Sequence, residues 1–117
     1  MTVTMTEEHL ESGLRKLALT GTLDAPGTMS IENEFQARIA ELRDQVIIDL
    51  SGVDFMSSYG LRMFLIGAKE AHTKGGALYL AGPNQNVHQV IQMAGYDTMF
   101  PVYESVEEAI LYLSGQD

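Results

Sequence analysis

The sequence predicts one α/β domain over residues 1–117. Its core is a mixed, mostly parallel sheet of four to five strands with about four helices. Three observations carry that prediction. Short apolar runs rich in β-branched residues alternate with segments of helical period. The first two strand candidates are separated only by a turn, as in an antiparallel hairpin. A hydrophobic content of 45% and a charged content of 20% are those of a globular chain long enough to bury a core.

The elements follow in order. Thr2 to His9 alternates loosely and holds Thr and Val, which favour strands. Glu11-Ser12-Gly13 reads as a turn, and Leu14 to Leu23 as the second strand. Thr20 to Gly27 carries that strand into a loop. A first helix then runs from about Met29 to Leu42, with Ile31, Phe35, Ile39 and Leu42 on one face. Val46 to Leu50 is an apolar run suited to a buried strand. Ser51 to Ser58 leaves the sheet, and a second helix spans about Tyr59 to Lys74 with Leu61, Phe64, Leu65 and Ala68 inward. Gly75-Gly76 stops it before a fourth strand, Ala77 to Ala81. Gly82-Pro83-Asn84 turns into a third helix that buries Val87, Val90, Ile91 and Ala94, with Gly95 at its C′ position. Phe100 to Tyr103 is a short extended segment. Ser105-Val106-Glu107-Glu108 is a capping-box pattern opening a fourth helix with Val106, Ala109, Ile110 and Leu113 inward.

Composition excludes several function classes. A net charge of −9 with only seven scattered Lys and Arg does not suit a nucleic-acid partner. With no cysteine there is no disulfide framework and no thiolate site, which fits a cytoplasmic protein. No apolar run approaches the roughly 18 residues of a membrane span, and the N-terminus lacks the basic start and apolar core of a signal peptide. His9, His72 and His88 fall on three different elements with no ligand spacing, so no metal is expected. Neither a phosphate-cradling loop nor a dinucleotide fingerprint is present, and no cofactor is expected. Ser57 and Ser58 lack a nucleophile elbow. The chain reads as a binding module rather than an enzyme.

The informative stretch is Val46 to Lys69, where a strand empties into a helix and Ser57-Ser58-Tyr59-Gly60 sits at the junction. A helix N-terminus carries unpaired N–H groups and partial positive charge. Serines placed there serve as a cap or as a switch. Asp24 reads equally as a turn or cap residue ahead of helix one and as a neighbour of Ser58, both following strand C-termini. Gly60 reads as a close-approach position or as ordinary spacing.

The junction resembles the sulfate transporter and anti-sigma factor antagonist (STAS) domain family. The resemblance runs from Asp49-Leu50-Ser51 through Phe55-Met56-Ser57-Ser58-Tyr59 to Gly60-Leu61-Arg62, with weaker matches at Gly21-Thr22-Leu23-Asp24 and Lys74-Gly75-Gly76. It covers nearly the whole chain and implies a STAS-like fold. It also implies a bacterial anti-sigma factor antagonist acting in signal transduction and transcription regulation. Such a protein binds a serine-kinase anti-sigma factor, is released when that kinase phosphorylates it, and is restored by a serine phosphatase. The family's phosphorylated serine maps to Ser58, which leaves the cap to Ser57. Two departures stand out: Ser57 replaces a frequent aspartate, and Tyr59 a frequent small residue. The runner-up is a soluble STAS subunit of a membrane transport complex acting without phosphorylation. A third reading is a small-molecule sensor or an enzyme using Ser58.

The expected partner-binding residues are Asp24, Ser57, Tyr59, Gly60, Arg62, Met63 and Ile66, with Asp49 adding negative charge nearby. Tyr59, Met63 and Ile66 form a second apolar row beside Ser58, away from the core stripe, to be covered by a partner or, alternatively, by helix one or a second copy of the chain. On this reading Met63→Asp spares the fold and abolishes partner binding.

Overall fold

A computed structural model describes residues 3–42, 45–95 and 101–115. Its elements are β1 (Thr4–His9), β2 (Leu14–Leu23), α1 (Ala25–Glu41), β3 (Gln45–Met56), α2 (Ser58–Thr73), β4 (Ala77–Ala81), α3 (Gln85–Met93), β5 (Val102–Tyr103) and α4 (Val106–Ser114). The strands form one sheet in the order β1-β2-β3-β4-β5. Only β1 and β2 are antiparallel, closed by a short 3-10 turn at Glu11–Gly13. The other pairs are parallel.

Helices cover both faces of the sheet, which is why β3 opens as an unbroken apolar run. Val46, Ile48 and Leu50 face a large core shared with Phe35 and Ile39 of α1, Phe64 of α2, and Val87 and Ile91 of α3. Ile47 faces a smaller core with Leu14, Ala81, and Ala109 and Leu113 of α4. The rings of Phe35 and Phe64 meet edge to face at 5.6 Å, joining α1 to α2. That approach is possible because Gly67 has no side chain: a Cβ there would lie 2.8 Å from Phe35 Cε2.

Several boundaries differ from the sequence reading. α1 begins at Ala25, four residues before Met29, because Asp24 Oδ1 accepts from Gly27 N at 2.8 Å and caps it. Pro26 and Gly27 read as loop residues, yet proline suits a first helical turn, whose N–H has no intrahelical partner. β3 continues to Met56, so Ser51 to Met56 belongs to the sheet. It pairs with β2 through two register irregularities, between Ala18 and Thr20 and between Gly21 and Thr22. A bulge shifts the phase of the side chains. Val53 and Met56 are therefore both buried at a spacing of three, which a period of two does not reveal.

In α2 the buried stripe is Gly60, Leu61, Met63, Phe64, Gly67 and Ala71, while Leu65 and Ala68 are half-buried. Ala94, expected inward, is exposed. Gly95 has the positive φ, 78°, that its C′ position requires. In α4, Ser105 Oγ accepts from Glu108 N at 3.0 Å, while Glu108 Oε1 accepts from Glu104 N. Thr2 and Phe100, placed in strands by the sequence reading, lie outside the described residues.

Candidate functional site

The site assembles where β2 and β3 end together. Leu23 pairs with Met56 as the last residues of the two strands. The Leu23 carbonyl accepts from both Ser57 N and Ser57 Oγ, each at 2.9 Å. Ser57 Oγ in turn accepts from Tyr59 N at 3.2 Å, making Ser57 the N-cap of α2. The next residue after Leu23 is Asp24, the N-cap of α1. One peptide unit thus ties the N-termini of both helices to the sheet edge.

Ser58 is the first residue of α2 and is exposed, and its hydroxyl has no hydrogen-bond partner among the described residues. The two adjacent serines therefore differ in kind. Ser57 Oγ is both donor and acceptor in bonds that shape the junction. Ser58 Oγ is hydrogen-bonded to none of the described residues.

Beside Ser58, Tyr59 is 56% exposed; Ile66 farther along α2 and Phe55 near the end of β3 are exposed at 42% and 49%. Ser58, Tyr59, Leu61, Arg62 and Ala94 line a shallow cavity of about 450 Å³ between the start of α2 and the end of α3. The end of β3 is tied to its neighbours on either side. Asn84 Nδ2 donates to the carbonyls of Val53 and Asp54 at 3.3 Å, and Thr22 Oγ1 donates to Asp54 Oδ1 at 2.8 Å. A larger groove of about 560 Å³ lies farther along α2, between Leu65, Ala68, His72, Leu78 and Pro101, and contains no residue of the junction motif.

The structure places two of the expected partner residues, Met63 and Gly60, and the nearby Asp49 differently from the sequence expectation. Met63 is fully buried, and its carbonyl accepts from Gln36 Nε2 of α1 at 3.2 Å. The expected apolar row is broken there, because α1 packs against that side of α2. Gly60 is buried as well: a Cβ would meet Met56 Cγ at 2.9 Å and Leu23 Cβ at 3.0 Å. Of its two readings, close approach is the one observed. Asp49 turns to the α4 face, where its carboxylate accepts from Ser51 N and Oγ. There it borders a polar hollow with Lys16, Gly82 and Glu104. Its charge is on the opposite side of the sheet from α2. Asp24, Ser57, Tyr59, Arg62 and Ile66 remain at or beside the junction, Asp24 and Ser57 as caps.

Two surface residues escaped the sequence reading. Phe55 gave a signal, since Val53, Phe55 and Met56 cannot all turn inward on one strand. Ala94 gave none.

The STAS domain family model matches residues 6–109. The chain belongs to the STAS domain family. Its relatives are of the anti-sigma factor antagonist type. BtrV of Bordetella bronchiseptica, which bears that description, is 31% identical over 97 residues, 83% of this chain and 84% of its own. An anti-sigma F factor antagonist of Paenibacillus polymyxa is 28% identical over 110 residues, 91% of each chain. In fold, this STAS domain is similar to the anti-sigma factor antagonist SpoIIAA in its unphosphorylated form, with a TM-score of 0.77, 22% identity, and coverage of 97% and 99%. The phosphorylated form of the Bacillus protein gives 0.68 at 21% identity, with coverage of 94% and 99%. A sulfate transporter family protein from Wolinella succinogenes shares the fold too, with a TM-score of 0.76 at 13% identity and coverage of 90% and 88%.

Proposed function

We propose that this STAS domain is a bacterial, cytoplasmic anti-sigma factor antagonist, a non-enzymatic binding module switched by phosphorylation of Ser58. Unmodified, it binds a serine-kinase anti-sigma factor. The kinase then transfers the γ-phosphoryl group of ATP to Ser58 Oγ: the O–P bond forms, ADP leaves, and the hydroxyl proton passes to a base on the kinase. A serine phosphatase reverses the change. The observation that carries this reading is the division between the serines, with Ser57 locked into the junction and Ser58 exposed and without a hydrogen-bond partner among the described residues.

The physics of the switch is local. A phosphate adds about −1.5 to −2 charges. The N-terminus of α2 accommodates an anion, so the fold survives. Against a docked partner the same charge is desolvated without compensation. An unpaired buried charge costs roughly 3–5 kcal/mol, or about two to nearly four decades of affinity. Tyr59, exposed and lining the same cavity as Ser58, supplies apolar contact area beside the switch.

Intact-mass analysis of the chain isolated from its host, with the site located by fragmentation, tests the assignment. One added phosphate on Ser58, lost in Ser58→Ala, is the expected result. Phosphate on Ser57 or Tyr59 overturns it. A chain that carries no phosphate and co-purifies with a transporter points to the transport-complex subunit instead, a reading to which the transporter neighbours contribute fold similarity alone.

A further inference from the structure

We propose that Arg62 is the residue that positions a phosphate on Ser58, closing an ion pair within α2 that defines the released state; this rests on Ser58 being the acceptor. Arg62 lies four residues after Ser58, one turn along the helix, and both line the same cavity. Side chains at i and i+4 have Cβ atoms about 5–6 Å apart, and an anion N-terminal to a cation is the favourable order. The guanidinium matches a phosphate with two parallel N–H···O bonds.

The state of Arg62 in the unmodified chain makes the pairing available. Arg15 and Arg38 are held by Glu7, Lys16 by Glu8, and Lys74 by Glu70. Arg62 forms no ion pair with any described residue, in a chain with 16 acidic side chains and seven basic ones. It is exposed and has no hydrogen bond or ion pair to surrender among the described residues. The phosphate is the one new anion whose position on α2 fits its reach. The pair turns the phosphate down along the helix, over the cavity bordered by Tyr59 and Ala94. The modified state therefore fills the docking surface as well as charging it.

The test uses the full chain with phosphoserine installed at position 58 by genetic encoding, so that no kinase is needed. The phosphorus resonance is titrated with pH in the otherwise wild-type chain, in Arg62→Gln and in Arg62→Lys. The helix terminus is the same in all three, which isolates the side chain. In the arginine form the second phosphate ionisation falls below the ordinary value of about 6. Arg62→Gln should raise it by roughly half a pH unit, and Arg62→Lys should land between, a point charge replacing a fork. Without the phosphate, all three should melt at the same temperature. Superimposable titration curves for Arg62 and Arg62→Gln overturn the proposal. Failure to find phosphate on Ser58 in the native chain removes the switch itself and leaves the titration result intact, so the two failures are distinguishable.

Discussion

At the scale of single residues, two neighbouring serines of identical chemistry are separated by their hydrogen bonds. Ser57→Ala removes an N-cap and one of the two donors to the Leu23 carbonyl. Loss of such a cap costs about 0.5–2 kcal/mol. Ser58→Ala removes a hydroxyl with no partner among the described residues and should change stability by less than ~0.5 kcal/mol. Urea unfolding of the two variants checks this, and a larger loss for Ser58→Ala would refute the division. Thr28 offers a test of opposite sign. It is 2% exposed in the first turn of α1, and its hydroxyl is buried without a hydrogen-bond partner among the described residues. A buried unsatisfied polar group costs about 1–3 kcal/mol, so Thr28→Val should raise the unfolding midpoint. A lowered midpoint would mean that the hydroxyl has a partner in solution.

At the scale of elements, α2 shows what the sequence makes legible and what it hides. Hydropathy located the helix and the inward side chains of Leu61 and Phe64. It missed the centre of the stripe, because Gly60 and Gly67 carry no hydropathic signal yet mark the closest approaches, to Met56, Leu23 and Phe35. The true stripe is thereby rotated, Met63 comes under α1, and Leu65 is left at the rim. The strand before it was cut short for a related reason, its bulge hiding the alternation. The sequence predicts too late a start for α1 because proline and glycine signal loops more strongly than a cap signals a helix. The motif at Ser57-Ser58 survived these errors because it is read from residue types, and those do not depend on phase. Met63→Asp, expected from sequence alone to spare the fold, now places an unpaired charge in the core. It should unfold the domain or cost at least about 3 kcal/mol. Ile66→Asp, at an exposed site on the same helix, should melt within a few degrees of wild type. Circular dichroism melts of both decide whether α1 covers Met63 as described.

At the scale of the whole molecule, the two faces of the sheet carry different loads. The face under α1, α2 and α3 holds the larger core and the Ser58 junction, while the α4 face is closed by the smaller core and a run of tyrosines. Tyr79 of β4 lies 6.2 Å from Tyr103 of β5, which lies 5.6 Å from Tyr112 of α4. These rings join the sheet edge to the last helix, and the ionisation of Tyr79 and Tyr103 reports on that face. Burial, and then the neighbouring Tyr112, push Tyr79 above the ordinary tyrosine value of 10.0. Tyr103 is raised by burial first, then by Tyr112, Tyr79 and Glu108. The neutral phenol is the favoured form in the folded chain. Unfolded tyrosines lose their protons near pH 10, while the folded ones keep theirs to higher pH. The folded state then binds more protons than the unfolded state, and stability falls as pH rises. This contribution is fully present below about pH 10 and is lost between the unfolded and folded ionisations. Melting midpoints measured from pH 8.5 to 11.5 should decline through that window. Tyr103→Phe, which cannot ionise, should decline less steeply than wild type over the same range. Parallel declines for the two chains would show that lysine titration and general charge repulsion govern the alkaline limit, and that the tyrosine run does not brace the α4 face.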